Sequence, residues 1–283
     1  MVNKHTDGRR LTLLTFLGAM GTLLIACNAQ LSEPSAPSSV QVKIHKLPKA
    51  NLTPEQLQTI SEQIGVRILS GESLGSGVII HRQDSVYMVV TNDHVLRSAN
   101  PPFQVQTRDG KIHQAQVEKR ADSLGKNDLA VLSFNSNQDY RVAKLGSTLQ
   151  PGDMVFAAGF PLMLESNTVS AKSHQDSHQG LKGFAFRRGE VSLVLEKALE
   201  GGYQVGYTNE IDKGMSGGSL LNRRGELVAI NGMHAYPLWG DPYVYEDGSQ
   251  PPAKLREKMV HYSWGIPIET FVEYGQISPR ARF

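Results

Sequence analysis

The chain has 283 residues, with 29 basic and 27 acidic side chains, a net charge of +2 and one cysteine, Cys27. So balanced a charge offers nothing to draw in nucleic acid or another polyanion, and a single cysteine excludes an intrachain disulfide. Once a leader and a linker are set aside, the remaining length suits a two-lobed fold held together by burial alone.

Residues 1–26 read as an export leader. Lys4, Arg9 and Arg10 precede the uncharged run LTLLTFLGAMGTLLIA, which is short for a membrane span. The run ends Leu24-Ile25-Ala26-Cys27, which resembles a bacterial lipobox, where cleavage precedes the cysteine and its thiol takes a lipid. That resemblance implies export and a lipid anchor at Cys27 on the cell envelope. Residues 27–52, with their PSAPSS run, read as a flexible tether, and the folded part is expected over 53–283.

Thr53-Pro54-Glu55-Gln56 predicts a helix start, with Thr as N-cap and Gln three residues on, and a short helix to about Gln63. From Val66 the pattern changes to short β-like runs: Val66–Leu69, Gly77–Ile80, Val86–Thr91, Phe103–Thr107, Ile112–Val117 and Leu129–Phe134. After Gln150-Pro151-Gly152-Asp153 come Met154–Ala158, Val191–Leu195, Tyr203–Thr208, Ser219–Leu221, Leu227–Ile230 and Ser263–Ile266. Short strands punctuated by Gly and Asx turns, with little helix between them, argue for an all-β fold of barrels. The lobes are expected at about 66–148 and 149–272, with a short helix over 268–274.

Three segments carry chemistry. Lys213-Gly214-Met215-Ser216-Gly217-Gly218 offers an exposed hydroxyl with small neighbours, so the amides of Gly214 and Ser216 can face one developing oxyanion. Composition alone also fits a Gly/Ser turn. Thr91-Asn92-Asp93-His94-Val95 sets a histidine just past an apolar strand, where it is held rigidly beside a cleft, although a lone histidine is often structural. Asn127-Asp128-Leu129-Ala130-Val131-Leu132 opens an apolar strand with a carboxylate. If buried, that group needs a partner, and an imidazole N–H would serve; a strand-capping Asp is the plainer alternative.

The order His, Asp, Ser resembles that of the trypsin-like peptidases of the chymotrypsin clan. The wording of the segments is similar to the HtrA-like bacterial branch over about 57–272: Gly75-Ser76-Gly77-Val78-Ile79-Ile80, TNDHV, NDLAVL, Ala158-Gly159-Phe160-Pro161 and GMSGGSLLN. The resemblance implies two six-stranded antiparallel barrels with the active site between them, and a serine endopeptidase that acts on polypeptides without a cofactor or metal. Ser216 would be the nucleophile, His94 the general base and Asp128 its orienting acid, with the oxyanion hole at Gly214 and Ser216. Ser263-Trp264-Gly265 is similar to the family strand that pairs with substrate, and Ser263 would also hydrogen-bond Asp128. By family position Glu210 would lie near the floor of the P1 pocket, where a buried carboxylate favours a basic side chain. No PDZ domain is expected after the catalytic region, and Met215 stands where an Asp would pair with a freshly cut N-terminus. A catalytically silent fold that binds peptides is the alternative, and the complete set of three residues argues against it.

Two further stretches stand out. Residues 234–261 form a long insert rich in Tyr, Trp and acidic residues, equally suited to walling the cleft or to packing on the surface. His174 and His178 are spaced for one helix face, but their Ser-, Gln- and Gly-rich surroundings carry no helix signal, so a metal pair is not expected. Oligomeric state is not legible.

Overall fold

A computed structural model describes residues 51–147, 149–162, 183–237 and 240–275. The leader, Cys27, most of the tether, His174, His178 and Trp239 lie outside the described residues.

Helix α1 (Pro54–Ile64) starts as its sequence dictates. Thr53 Oγ1 accepts from the Gln56 amide at 3.3 Å, and Gln56 Oε1 accepts from the Thr53 amide at 2.9 Å. Its apolar stripe of Leu57, Ile60 and Ile64 is buried in one cluster with Val78, Leu221 and Leu227. Those partners come from both barrels that follow, so the helix spans their seam.

The first barrel contains β1 (Gly65–Ser70), β2 (Glu72–Gln83), β3 (Val86–Thr91), β4 (Phe103–Gln106), β5 (Ile112–Lys119) and β6 (Ala130–Asn135). The strands close in the order β1-β2-β3-β6-β5-β4, with antiparallel pairing throughout. Tyr87 and Val89 of β3 point into the barrel beside Ile68, Leu132 and Phe134, while Val90 joins the outer cluster with α1. Burial on both faces explains why this strand reads as a continuous apolar run rather than an alternation.

The second barrel repeats the plan with β7 (Met154–Gly159), β8 (Ala185–Val194), β9 (Val205–Tyr207), β10 (Ser219–Asn222), β11 (Leu227–Met233) and β12 (Ser263–Pro267). It closes in the order β10-β11-β12-β9-β8-β7. The expected fold, two closed six-stranded antiparallel barrels with few helices, is therefore the observed one. Strand β8 begins six residues before the apolar run that marked it. Its early part, Ala185-Phe186-Arg187-Arg188, is held by Phe186 stacking on Phe156 and by Arg187 pairing with Asp212 at 2.5 Å, neither of which leaves an apolar pattern.

Two helices escaped the sequence. Helix α2 (Asp93–Arg97) is a single turn directly after β3, and α3 (Ala253–Met259) lies within the 234–261 insert. The described part of that insert packs rather than floats. Tyr243 is fully buried beside Trp264, with ring centroids 6.0 Å apart, and its hydroxyl donates to the Met259 carbonyl at 3.0 Å. Helix α4 (Ile268–Gly275) follows β12 and buries Ile268 and Phe271 in the shared cluster.

Candidate active site

Strand pairing brings His94 and Asp128 together. Strands β3 and β6 are antiparallel, with Thr91 opposite Ala130, so the residues after β3 and those before β6 emerge at one end of the same pair. Asn92 Nδ2 donates to the Asp128 carbonyl at 2.8 Å and fixes that juxtaposition. The carboxylate then accepts twice from one residue. Oδ1 takes the His94 amide at 2.8 Å, and Oδ2 takes His94 Nδ1–H at 2.6 Å. A carboxylate only accepts, so an imidazole proton sits on Nδ1.

Asp128 is buried, and burial works against its charge. The hydrogen bond and electrostatic pull of His94, with a hydroxyl from Tyr203, outweigh that penalty and hold its carboxyl below the usual range. Tyr203 Oη donates to Oδ2 at 2.5 Å, and the Arg97 guanidinium stands 3.6 Å from Oδ1. Asp93, next to His94, does not face the carboxylate; it is buried against Arg120 and Arg97.

Ser216 lies in the turn between β9 and β10. Its carbonyl accepts the Ser76 amide from the first barrel at 2.9 Å. Its hydroxyl donates to the Gly232 carbonyl at 3.2 Å, and no hydrogen bond joins it to His94. Gly232 is available because β11 is irregular between Asn231 and Met233, where the ladder to β12 skips a residue. The ladder from β10 to β11 ends at Ile230, so among the described residues no strand pairs with Gly232 or Met233 on the Ser216 side.

The loop before Ser216 is tightly laced. Leu162 N–H donates to the Lys213 carbonyl at 2.8 Å, and Ser76 Oγ donates to the Gly214 carbonyl at 2.8 Å. The Lys213–Gly214 peptide is trans, so its N–H points away from Leu162. Gly214 has φ +96°, and a Cβ there would lie 2.6 Å from both Leu162 N and Phe160 O. Among the described residues, neither the Gly214 nor the Ser216 amide meets an acceptor. Met215 instead turns into the core of the second barrel.

Two expectations need correction. The Glu210 side chain is 89% exposed, 3.7 Å from Arg187, so it is not a buried carboxylate under a pocket. The nearby cation lies on β8, a neighbour invisible from the local sequence. Ser263-Trp264-Gly265 cannot add a substrate strand, because β12 is flanked on both sides. Trp264 and Gly265 pair with Met233 and Asn231 of β11, while Ser263, Trp264 and Gly265 pair with Tyr207, Gly206 and Val205 of β9. Among the described residues Ser263 Oγ is buried without a partner, and the place at Asp128 expected for it is filled by Tyr203. Sequence reasoning thus missed Tyr203, Ser76 and Gly232. Ser76 stood in the quoted Gly-Ser-Gly run, and Tyr203 follows the pair Gly201-Gly202, but nothing local marks what either touches.

Comparison with known proteins identifies the family of the fold. The model of the trypsin-like peptidase domain matches residues 75–230. The mitochondrial serine protease HTRA2 of Drosophila virilis is 33% identical over 206 residues, covering 71% of this chain and 44% of the relative. Serine protease HTR4 of Rattus norvegicus is 28% identical over 205 residues, covering 72% and 35%. A DegP-like periplasmic serine endoprotease of Buchnera aphidicola is 33% identical over 161 residues, covering 56% and 29%. The chain therefore spans less than half the length of these relatives. The family model alone covers more than half of the chain, which belongs to the trypsin-like peptidase domain family.

Proposed function

We propose that the protein is a serine endopeptidase that hydrolyses polypeptides through an acyl-enzyme on Ser216. The observation that carries this reading is the His94–Asp128 contact, which puts the imidazole proton on Nδ1 and keeps Nε2 available to act as a base on Ser216. The serine proteases similar to this chain point the same way.

In this mechanism the Ser216 hydroxyl leaves Gly232 and attacks the scissile carbonyl carbon, while its proton passes to His94 Nε2. The carbonyl oxygen gains the negative charge and is met by the free amides of Gly214 and Ser216. Asp128, held as an anion, stabilises the imidazolium. The C–N bond breaks as His94 returns the proton to the leaving amine. Water, deprotonated by His94, then cleaves the ester and restores the serine. The unpaired side of Gly232 and Met233 is where an extended substrate main chain would add as a strand.

Hydrolysis of unfolded casein tests this. Wild type should release peptides, and Ser216→Ala or His94→Ala should lower the rate at least about a thousandfold. Equal rates in wild type and Ser216→Ala would overturn it.

The domain plan completes the reading: a leader over 1–26, a tether over 27–52 and the peptidase over 53–283, exported and lipid-anchored through Cys27 at the cell envelope. Its support is the lipobox-like run before Cys27 and a relative named periplasmic. Among the described residues no helix is long and apolar enough to cross a membrane. Cys27→Ser should move the protein from the membrane fraction to the soluble one, and unchanged fractionation would contradict the anchor.

A further inference from the structure

We propose that Tyr203 is a positioning residue of the catalytic machinery, a buried clamp that shares Oδ2 of Asp128 with His94 and sets the strength of their hydrogen bond. The inference rests on the proposed roles of Asp128 and His94.

The contact is built, not incidental. The Asp128 amide donates to the Gly201 carbonyl at 2.8 Å, so the loop that carries Tyr203 is fastened to the backbone of the residue its side chain serves. Gly201 and Gly202 have φ +80° and +83°, which brings the chain around at that point. A Cβ on Gly202 would lie 2.1 Å from Asn127 Oδ1. On the far side of the ring, a Cβ on Gly232 would lie 2.5 Å from both Cε1 and Oη of Tyr203. The phenol reaches Asp128 because the residue of β11 facing Ser216 has no side chain. Gly232 therefore serves two groups at once, taking the Ser216 hydroxyl on its carbonyl and admitting the Tyr203 ring above its Cα.

The chemistry follows from one oxygen having two donors. Oδ2 accepts His94 Nδ1–H at 2.6 Å and Tyr203 Oη–H at 2.5 Å. Burial, with the Asp128 charge beside it, pushes the Tyr203 phenol well above its ordinary range, so it stays a proton donor at every working pH. A permanent second donor pins the carboxylate plane and withdraws charge from the atom that orients the imidazole. Without it the carboxylate is still held by the His94 amide and ring, but Oδ2 keeps more of its charge and pulls harder on the Nδ1 proton.

Tyr203→Phe keeps the ring and removes the donor. Three readouts separate the outcomes. First, kcat on a peptide substrate should change about tenfold with KM unchanged, because Asp128 acts on the His94 imidazolium only after binding. Second, the proton resonance of His94 Nδ1–H should move downfield, which a ring serving only as packing would not cause. Third, a fluorophosphonate should still label Ser216. Unaltered kcat with an unmoved Nδ1 proton in labelled protein overturns the clamp and leaves the nucleophile assignment intact. A moved proton in protein that no fluorophosphonate labels supports the clamp and overturns the endopeptidase reading. If Tyr203→Phe fails to fold, Gly232→Ala decides. Its methyl displaces the phenol from Asp128, and a wild-type Nδ1 resonance in that variant counts against the proposal.

Discussion

Ser76 Oγ, on β2 of the first barrel, donates to the carbonyl oxygen of Gly214 at 2.8 Å, in the loop that leads to Ser216 in the second. The same oxygen accepts the Phe160 amide at 2.8 Å, so one buried hydroxyl satisfies two backbone groups. Ser76→Ala strands both. Each unsatisfied buried group costs about 1–3 kcal/mol, and a loss of roughly 2 kcal/mol or more in unfolding free energy is expected. Denaturant unfolding checks this, and kcat should fall with it because the Gly214 peptide is released. Unchanged stability would mean that the two groups find other partners.

Gly214→Ala tests the adjoining peptide. At φ +96° an L-residue is strained, and its Cβ would meet backbone atoms 2.6 Å away that cannot swing aside. The Gly214 amide must move, and loss of one oxyanion donor costs about a hundred- to thousandfold in kcat. The barrels should persist by circular dichroism. Near wild-type turnover in Gly214→Ala would exclude this amide from the oxyanion site.

Glu226 makes the second barrel acid-sensitive. Burial works to raise its pKa. Bonds from Lys144 at 2.5 Å, Asn222 at 3.0 Å and Arg224 at 2.8 Å, with the Arg224 charge, outweigh burial and hold it at about 2. A carboxyl depressed in the folded state stabilises it above the unfolded pKa, and that contribution fades as pH falls from about 4.5 towards 2. The share lost is at most ~3 kcal/mol. Melting temperatures at pH 7 and pH 3 should differ less in Glu226→Gln than in wild type. An equal difference would assign the acid sensitivity to other groups.

The insert over 234–261 is expected to hold the second barrel together. Tyr243→Ala removes a fully buried ring from beside Trp264 and a hydrogen bond to Met259. Such truncations cost about 3–5 kcal/mol, readable as a lower unfolding midpoint. A loss below about 1 kcal/mol would return the insert to the role of a surface loop.

Legibility in the sequence followed the range of the interaction. Each of the twelve strands left a short β-like run of its own, and the order His94, Asp128, Ser216 with its neighbouring words announced the fold. The details at the site depend on residues distant in the chain. Glu210 stands exposed beside Arg187 of the distant strand β8, and whether β12 has a free edge is decided by its pairing with both β9 and β11. Tyr203 lies 75 positions from the carboxylate it serves, and its approach depends on the missing side chain of Gly232. No local pattern encodes these. Helix α2 is too short for a periodic signal, yet it carries His94.

The most direct test of the central claim is intact-mass and peptide-mapping analysis after exposure to a fluorophosphonate. One covalent adduct on Ser216 is predicted, abolished in Ser216→Ala and strongly slowed in His94→Ala. Folded wild-type protein that takes up no label, or takes it at another residue, would contradict the assignment of Ser216 as a nucleophile activated by the His94–Asp128 pair.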